Sequence, residues 1–229
     1  MKDFDTDHYT YDVVSYNPDI DVRIETQYFI YNDGAIKIGY DFIPGAVKLP
    51  ELPRIGLNVA LPACFDNMEW YGRGPGESYP DRLSSSLIGL YSSSVMDQYH
   101  PYVRAQETGN HCDMRWLKLT DNQGRGLMIK GDSPLCMGAW CFTQSEIDYV
   151  PSWKERRHGG SIVKGDFVTL NIDYKMMGVG GDNTWGAKVH PEYTISPEPM
   201  HFSFTLIPIS SDQINITEIE LSDYENHLE

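Results

Sequence analysis

The chain has 229 residues, of which 41% are hydrophobic and 22% charged, and its formal net charge at pH 7 is −15. This acidic balance argues against nucleic acid or an anionic membrane as a partner, because phosphate groups select basic surfaces. The apolar runs are far shorter than the roughly 20 residues that a membrane-spanning helix needs.

We expect a single domain over residues 1–229, since all-β folds of this size routinely form one domain. Residues 1–2 and 228–229 are set aside as candidate additions to the natural chain. A chain of this length buries on the order of 70% of the surface that its unfolded form exposes, so its core needs neither metal nor disulfide. The four cysteines lack metal-ligand spacing and are interpreted as buried free thiols, with a Cys136–Cys141 disulfide left open.

Period-two alternation of apolar and polar residues, bounded by turn residues, recurs along most of the chain. Three hairpins are predicted, with strands at residues 23–31 and 35–43, 115–120 and 126–130, and 193–195 and 200–207. In the first hairpin the turn Asn32-Asp33-Gly34 predicts a left-handed conformation for the glycine. A further strand, residues 167–176, leads into a glycine-rich stretch.

Helical signals are few. The best is Thr143-Gln-Ser-Glu146, which fits a capping box and predicts a turn or two of helix before Pro151. Strands at regular spacing with few helices favour an all-β fold, a large antiparallel β-sandwich, over an α/β fold.

The middle section, residues 70–106, is expected to be irregular, because glycines and prolines interrupt it. Loop-rich stretches of this kind tend to carry function or contacts between domains. Arg73 and Arg82 lie among these glycines and prolines, and we expect them to pair with nearby acids and stiffen the loop.

The glycine-rich stretch 177–186 contains four glycines, and its single tryptophan, Trp185, has Gly, Asp, Asn and Thr as neighbours. It does not match a nucleotide-binding loop, since no βαβ context follows. Asp182 and Asn183 are expected to hold the loop by bonding to nearby backbone amides. An indole in such a polar loop predicts either stacking on a ligand such as a sugar ring or packing against another domain.

Other candidate groups have weaker signals. The carboxylates that attract notice are Glu69, Glu77, Asp81, Glu107 and Asp113, although sequence alone cannot supply the separation that a glycosidase pair needs. His100 and His111 have no second histidine at metal spacing, so a structural or surface role is favoured for both. The basic cluster 154–158 is interpreted as a solvated loop, with anion binding as the alternative.

Several segments together resemble a known family. Residues 69–82, 99–103, 106–110 with 113–116, and 177–185 resemble the C-terminal domain of large family 2 β-galactosidases, which is also the domain of the small chain in two-subunit β-galactosidases. The order and spacing of the motifs agree from about residue 54 to residue 209, and the earlier strands fit the start of the same domain.

The resemblance implies a large antiparallel two-sheet supersandwich similar to galactose mutarotases. It also implies an incomplete enzyme, because the family's catalytic glutamates lie in a TIM barrel that this chain does not contain. On this basis the chain holds no catalytic residue, no metal ligand and no cofactor, although the family's barrel often uses Mg²⁺ and Na⁺. The expected partners are the barrel, in the same polypeptide or in a large subunit, and a β-galactoside, in an enzyme that forms homo-oligomers.

The resemblance assigns one substrate contact, Trp185, as an aromatic wall of the sugar site. The matching pattern around it is a supporting loop, in which Gly180, Gly181, Asp182 and Asn183 take part. For the other matched residues no chemistry is implied.

Two alternatives stay open. One is an autonomous aldose mutarotase that uses Glu107 with His100, His111 or His158; the other is a free-standing carbohydrate-binding module. We also leave the compartment open between the cytoplasm, which we favour slightly, and the periplasm or exterior, since a signal would lie upstream of this chain. A lone glycosylation sequon at residues 215–217 does not decide the point.

Overall fold

The computed structural model describes residues 8–104, 106–147, 162–183 and 185–210. The basic cluster 154–158 and the sequon 215–217 lie outside the described residues. Ten strands are described: β1 (His8–Asn17), β2 (Val22–Tyr31), β3 (Ile36–Pro44), β4 (Arg54–Pro62), β5 (Asn67–Gly74), β6 (Leu87–Ser94), β7 (His111–Thr120), β8 (Gly126–Trp140), β9 (Phe167–Met176) and β10 (Met200–Ile209). They are accompanied by one helical turn, α1 (Gln144–Ile147), and by short 3₁₀ turns at Leu83–Ser85, Met96–Gln98 and Pro191–Tyr193.

All strand pairs are antiparallel, and β8 joins them into one branched sheet. The main path runs β1-β2-β3-β10-β8-β7-β5-β6, while β4 pairs with β9 and β9 pairs with β8. The first part of β8 pairs with β10, with Ile129 opposite Leu206, and its last part pairs with β9, with Met137 opposite Ile172. β10 and β9 thus pair with successive parts of the same edge of β8. The sheet divides there into two arms, one that continues through β10 and one that continues through β9.

The two arms share one apolar core. The ring of Tyr174 on β9 stacks on that of Phe202 on β10, with centroids 5.4 Å apart and an interplanar angle of 5°. Leu170 and Ile172 from one arm and Phe204 from the other belong to the same buried cluster. Each fully buried side chain of this size contributes roughly 1.5–3 kcal/mol, so the shared core stabilises both arms together. The predicted all-β antiparallel architecture is confirmed.

Two of the three predicted hairpins are confirmed. β2 and β3 are joined by a turn in which Gly34 has a φ of +88°, and β7 and β8 by one in which Gly124 has a φ of +76°. Both angles are left-handed, which glycine adopts at no steric cost. The predicted helix is confirmed as well, since Glu146 accepts a hydrogen bond from the Thr143 amide at 2.7 Å at the start of α1.

The third hairpin is wrong in its first strand. Residues 191–193 form a 3₁₀ turn, and Ile195 makes only an isolated bridge to Leu52. Pro197 and Pro199 follow directly and have no amide hydrogen to donate to a ladder, so a strand cannot continue there. Its second strand is present as β10, which pairs with β3 and β8 instead.

The middle section is more regular than expected. β6 lies inside it and pairs with β5 along eight residues, which leaves residues 75–86 and 95–110 as the irregular parts. The alternation in β6 is hard to detect from sequence, because Leu87, Ile88 and Leu90 are exposed and no buried face distinguishes them. The predicted ion pairs of this section are confirmed: Arg73 contacts Asp113 at 2.6 Å and Arg82 contacts Glu77 at 3.6 Å.

A Cys136–Cys141 disulfide is excluded by the extended backbone. Five residues of strand separate their Cα atoms by roughly 16 Å, against the limit of about 7 Å for a disulfide. All four cysteines are free thiols; Cys112, Cys136 and Cys141 are buried, as expected, whereas Cys64 is exposed.

Candidate functional site

The glycine-rich loop that follows β9 carries the most exposed large side chain among the described residues. Trp185 is 93% exposed, whereas Trp70, Trp116 and Trp140 are buried in the core. A bare indole in water is unfavourable unless it meets a partner, and its flat apolar face with a polar N–H suits a ring that has both apolar and hydroxyl surfaces.

The base of this loop is tied to the body of the domain through backbone hydrogen bonds. The Met177 amide donates to the Pro53 carbonyl at 3.0 Å, and the Gly178 amide donates to the Tyr193 carbonyl at 2.8 Å. Asp81, which lies in the irregular middle section, accepts from the amides of Val179 at 3.0 Å and Gly180 at 2.7 Å. One carboxylate oxygen therefore holds two successive amides of the loop.

Two glycines make this close approach sterically feasible. A Cβ atom at Gly178 would lie 2.8 Å from the Cγ atom of Asp81, and one at Gly181 would collide with the carbonyl oxygen of Ala187. A larger residue at Gly178 would force the loop away from Asp81, whereas one at Gly181 would force it away from its own return segment.

The loop tip is held by contacts within itself. Asn183 Oδ1 accepts from the Trp185 amide at 2.8 Å, while Asp182 Oδ1 contacts His190 Nε2 at 2.8 Å. Asp182 therefore contacts a side chain of the loop's return segment rather than a backbone amide. The Asp182 carboxylate raises the pKa of the His190 imidazole. Both contacts are exposed to solvent, so they orient the tip but stabilise it little.

A cleft of about 730 Å³ opens between the base of the loop and the irregular section that precedes β7. Its lining includes Arg54, Tyr79, Arg82, Tyr102, Glu107 and Gly178. The glycine-rich loop thus forms one wall of the cleft through Gly178, Val179 and Gly180, and Trp185 lies outside its lining.

The floor of the cleft is a partly buried ion network around Arg54. This guanidinium contacts Asp173 at 2.5 Å and Glu107 at 3.3 Å. Burial raises the pKa of Glu107 to about 7, although the nearby charge of Arg54 opposes the shift. Burial likewise raises the pKa of Asp173, again opposed by Arg54. One cation serves two buried carboxyl groups, so they compete for it.

Tyrosine hydroxyl groups complete the walls of the cleft. Tyr79 donates to Glu107 at 3.3 Å, and burial raises the pKa of Tyr79 far above its ordinary value, so this hydroxyl stays protonated. Tyr102 donates to Glu77, which also accepts from the Gly109 amide at 2.8 Å. The carboxyl group of Glu107, which lines the cleft, and that of Glu77, which does not, both accept hydrogen bonds from tyrosines of its walls.

His100 and His111 do not line this cleft. His111 is buried beside Trp70, with its Nδ1 3.0 Å from the Arg73 carbonyl and its Nε2 2.7 Å from the Gln98 amide group. Burial lowers the pKa of His111 to about 4, so the ring is neutral at pH 7. A neutral ring donates to only one of its two partners, which requires the Gln98 amide to be turned so that it donates to the other. The ring of His100 packs against Tyr102 at 4.3 Å.

The remaining carboxylates that attracted notice have structural partners. Glu69 pairs with Lys118 at 2.8 Å, and Asp113 pairs with Arg73. Across the described parts of the chain, no three His, Cys, Asp or Glu side chains are grouped as a metal site requires. No helix there is long and apolar enough to cross a bilayer.

Sequence reasoning missed the two residues that organise the cleft. Asp81 was one of several acids with no assigned role, although its position in a Tyr-Pro-Asp-Arg turn was a hint. Arg54 offered no signal, because its partner Asp173 is 119 residues away.

The family of this chain is decided by comparison with known proteins. The family model described as beta galactosidase small chain matches residues 2–206. The chain belongs to this family. A beta-galactosidase of Priestia megaterium is 40% identical over 183 residues, which cover 80% of this chain and 17% of that protein. A beta-galactosidase of Vibrio cholerae is 33% identical over 193 residues, which cover 84% of this chain and 18% of that protein.

The chain therefore spans less than a fifth of the length of these relatives. Among solved structures, a GalM/aldose epimerase homologue from C. elegans aligns with a TM-score of 0.39 and 9% identity, covering 89% of this chain and 66% of that one.

Proposed function

We propose that this chain is the accessory domain of a family 2 β-galactosidase and that Trp185 forms a wall of its sugar-binding site. The observation that carries the proposal is an indole that is 93% exposed on a loop anchored at its base by Asp81. Membership of the small-chain family supplies the context, and the small share of the relatives' length leaves room for a separate catalytic part.

The chemistry of the parent enzyme would take place outside this chain. Retaining glycosidases use two carboxyl groups about 5–5.5 Å apart on either side of the glycosidic bond. In this chain Glu107 and Asp173 share Arg54, and Glu77 accepts from Tyr102, so none of these is assigned a catalytic role. The part of the reaction left to this chain is to stack on one face of the sugar and to exclude water from it.

The remaining partners follow from the same proposal. The catalytic barrel belongs to the same polypeptide or to a large subunit, and the complete enzyme forms homo-oligomers. The family's barrel often uses Mg²⁺ and Na⁺, and in this proposal these ions bind to the barrel.

Kinetics of the complete enzyme test the role of Trp185. We expect Trp185→Ala to lower kcat/KM for a β-galactoside by about 10- to 100-fold, which corresponds to roughly 1.4–2.7 kcal/mol of transition-state binding. Trp185→Phe, which keeps an aromatic face, should lose less. Val179→Ala is the matched control, because it removes apolar surface from the same loop without removing an aromatic ring. Unchanged kinetics in Trp185→Ala would remove this residue from the sugar site.

The isolated chain should be folded and inactive. A chromogenic β-galactoside incubated with the purified chain should show no turnover above the buffer rate. Turnover that persists through repurification would show that the catalytic groups lie within these 229 residues.

The mutarotase alternative needs a histidine that acts together with Glu107. Glu107 lines the cleft, but neither His100 nor His111 does, and His158 lies outside the described residues. Polarimetry of freshly dissolved galactose with and without the chain discriminates, and we expect no acceleration.

A further inference from the structure

Two thiols that the proposed function does not use face each other across neighbouring strands. Cys112 on β7 lies beside Cys136 on β8, next to the pair His111–Met137 and within the irregular stretch of the pairing between His111 and Met114. Their sulfur atoms are 3.6 Å apart, and the residues are only 4% and 8% exposed.

The surroundings of the pair distinguish the two sulfur atoms. Cys112 Sγ accepts hydrogen bonds from the Cys136 thiol and from Asn110 Nδ2, each at 3.6 Å. Donors aimed at a sulfur favour its thiolate, and the hydrogen bond from Cys136 is the main cause that lowers the pKa of Cys112. The same hydrogen bond, and after it burial, raises the pKa of Cys136. Cys112 is therefore the nucleophile of the pair.

A cavity provides access for a small reagent. It has a volume of about 360 Å³, and both Cys112 and Cys136 line it, together with Pro134, Tyr174 and Tyr193. Hydrogen peroxide is no larger than a few water molecules, each of which occupies about 30 Å³, so it fits there without any opening of the fold.

We propose that Cys112 and Cys136 are a modification site at which a hydroperoxide produces a disulfide between β7 and β8. In the first step the Cys112 thiolate attacks one peroxide oxygen, the O–O bond breaks, and the departing hydroxide takes up a proton to become water. The product is a sulfenic acid at Cys112. In the second step Cys136, deprotonated as it attacks, displaces hydroxide from that sulfur and forms the S–S bond. Two thiols and one hydrogen peroxide give one disulfide and two waters.

The bond requires only a small movement. The sulfur atoms must approach from 3.6 Å to about 2.05 Å, which rotation of the two side chains can supply because the thiols are already in contact. The pairing of β7 with β8 is already irregular between His111 and Met114, so the backbone there is not held by an unbroken ladder.

The disulfide would lie against the support of the glycine-rich loop. Cys112 and Cys136 pack in one buried cluster with Tyr79 and Met176. Met176 is the last residue of β9 before the loop, and Tyr79 donates to Glu107 in the cleft. Modification of the thiols therefore constrains the floor from which the loop projects.

The test uses the full chain with Cys64→Ser, because Cys64 is exposed and would otherwise react between molecules. After reduction and removal of the reductant, a few equivalents of hydrogen peroxide are added and the intact mass is measured. We expect a loss of about 2 Da and a fall in the free-thiol count from three to one. Non-reducing peptide mapping should join the peptides that contain Cys112 and Cys136. The melting temperature should rise by about 5–10 °C, because the cross-link restricts the unfolded chain.

Variants of single thiols make the result specific. Cys136→Ser should stop at the sulfenic acid, trapped by dimedone on Cys112, and Cys112→Ser should give neither product. Cys141→Ser is the matched control, since it removes another buried thiol and should leave the cross-link unchanged. Three free thiols after treatment, or a cross-link through Cys141, would overturn the proposal. If Cys112→Ser or Cys136→Ser fails to fold, the thiol count and the peptide map of the Cys64→Ser chain still show whether the disulfide forms.

Discussion

The floor of the cleft is built from side chains that pair with one another, whereas the tip of the loop beside it exposes its largest side chain to solvent. On the floor, Arg54, Glu107 and Asp173 are mutually paired, and Tyr79 donates to one of the carboxyl groups. At the tip, Trp185 is almost fully exposed and only its backbone is held, by Asn183. Removal of a floor residue leaves a buried charge without a partner, whereas removal of the indole leaves the folded domain nearly unchanged. The domain thus separates the groups that stabilise it from the group that we propose it offers to a partner.

The largest effect on stability is expected at Arg54. Arg54→Met leaves two buried carboxyl groups without their cation and should lower the free energy of unfolding at pH 7 by about 3–5 kcal/mol. Urea denaturation measures this. Combining Arg54→Met with Glu107→Gln and Asp173→Asn should restore much of the loss, because no unpaired charge then remains. A loss below about 1 kcal/mol would show that the floor is less buried than the structure indicates.

The second effect is a pH dependence due to Glu107. Its carboxyl group has a pKa of about 7 in the folded chain, against an ordinary 4.5, so the folded state holds the proton more tightly. The stabilising contribution is therefore complete below about pH 4.5 and is lost as the pH rises through 7. We expect the difference in unfolding free energy between wild type and Glu107→Gln to change by roughly 3 kcal/mol over this range.

Comparing wild type with Glu107→Gln separates the pH dependence of stability that is due to Glu107 from that due to His111. The pKa of His111 is lowered from 6.5 to about 4, so its contribution has the opposite sign and is lost as the pH falls through this range. The His111 contribution is common to both proteins and cancels in the difference. A difference that does not vary with pH would mean that Glu107 is ionised in the folded state at all these pH values.

A smaller effect is expected at Asp81, which joins the body to the loop. Asp81→Ala removes the acceptor for the amides of Val179 and Gly180 and should lower the free energy of unfolding by about 1–2 kcal/mol. Hydrogen exchange at these two amides should become faster, while exchange in β9 stays the same. Asp81→Asn keeps one acceptor oxygen and should lie between wild type and Asp81→Ala. Equal exchange in all three proteins would contradict this anchoring role.

The smallest effect on stability is expected at the tip. Trp185→Ala should change the free energy of unfolding by no more than about 0.5 kcal/mol, because the side chain buries almost no surface in this chain. Trp140→Ala, which empties a core position, is the contrast and should lose about 3–5 kcal/mol. A large loss in Trp185→Ala would mean that the indole packs within the domain.

Sugar binding by the isolated chain is a further test of the difference between the exposed tip and the paired floor. Titration with galactose or lactose, followed by tryptophan fluorescence, should show at most millimolar binding, because one wall of a site makes few contacts. Trp185→Phe should abolish any fluorescence change that occurs. Tight binding that survives this substitution would indicate a complete sugar site elsewhere in the chain.

Much of the local structure could be predicted because it depends on neighbours in sequence. Period-two alternation identified β2, β3, β7, β9 and β10, and turn chemistry identified the left-handed Gly34. The capping box located α1 within a residue. The polar neighbours of Trp185 indicated an exposed indole, and the structure places it in solvent. Each of these features depends on interactions between residues that lie close together in the sequence.

What only the tertiary structure decided is which distant residues meet. Three contacts join segments that are 24 to 119 residues apart. They are the ion pair of Arg54 with Asp173, the hydrogen bonds from the loop amides to Asp81, and the contact between Cys112 and Cys136. They follow from the branching of the sheet at β8, which no local window of sequence contains, because many registers satisfy the same alternation. The sequence by itself determined an all-β chain with an exposed tryptophan loop. Burial of the shared core selected one strand pairing and, with it, the cleft from which that loop projects.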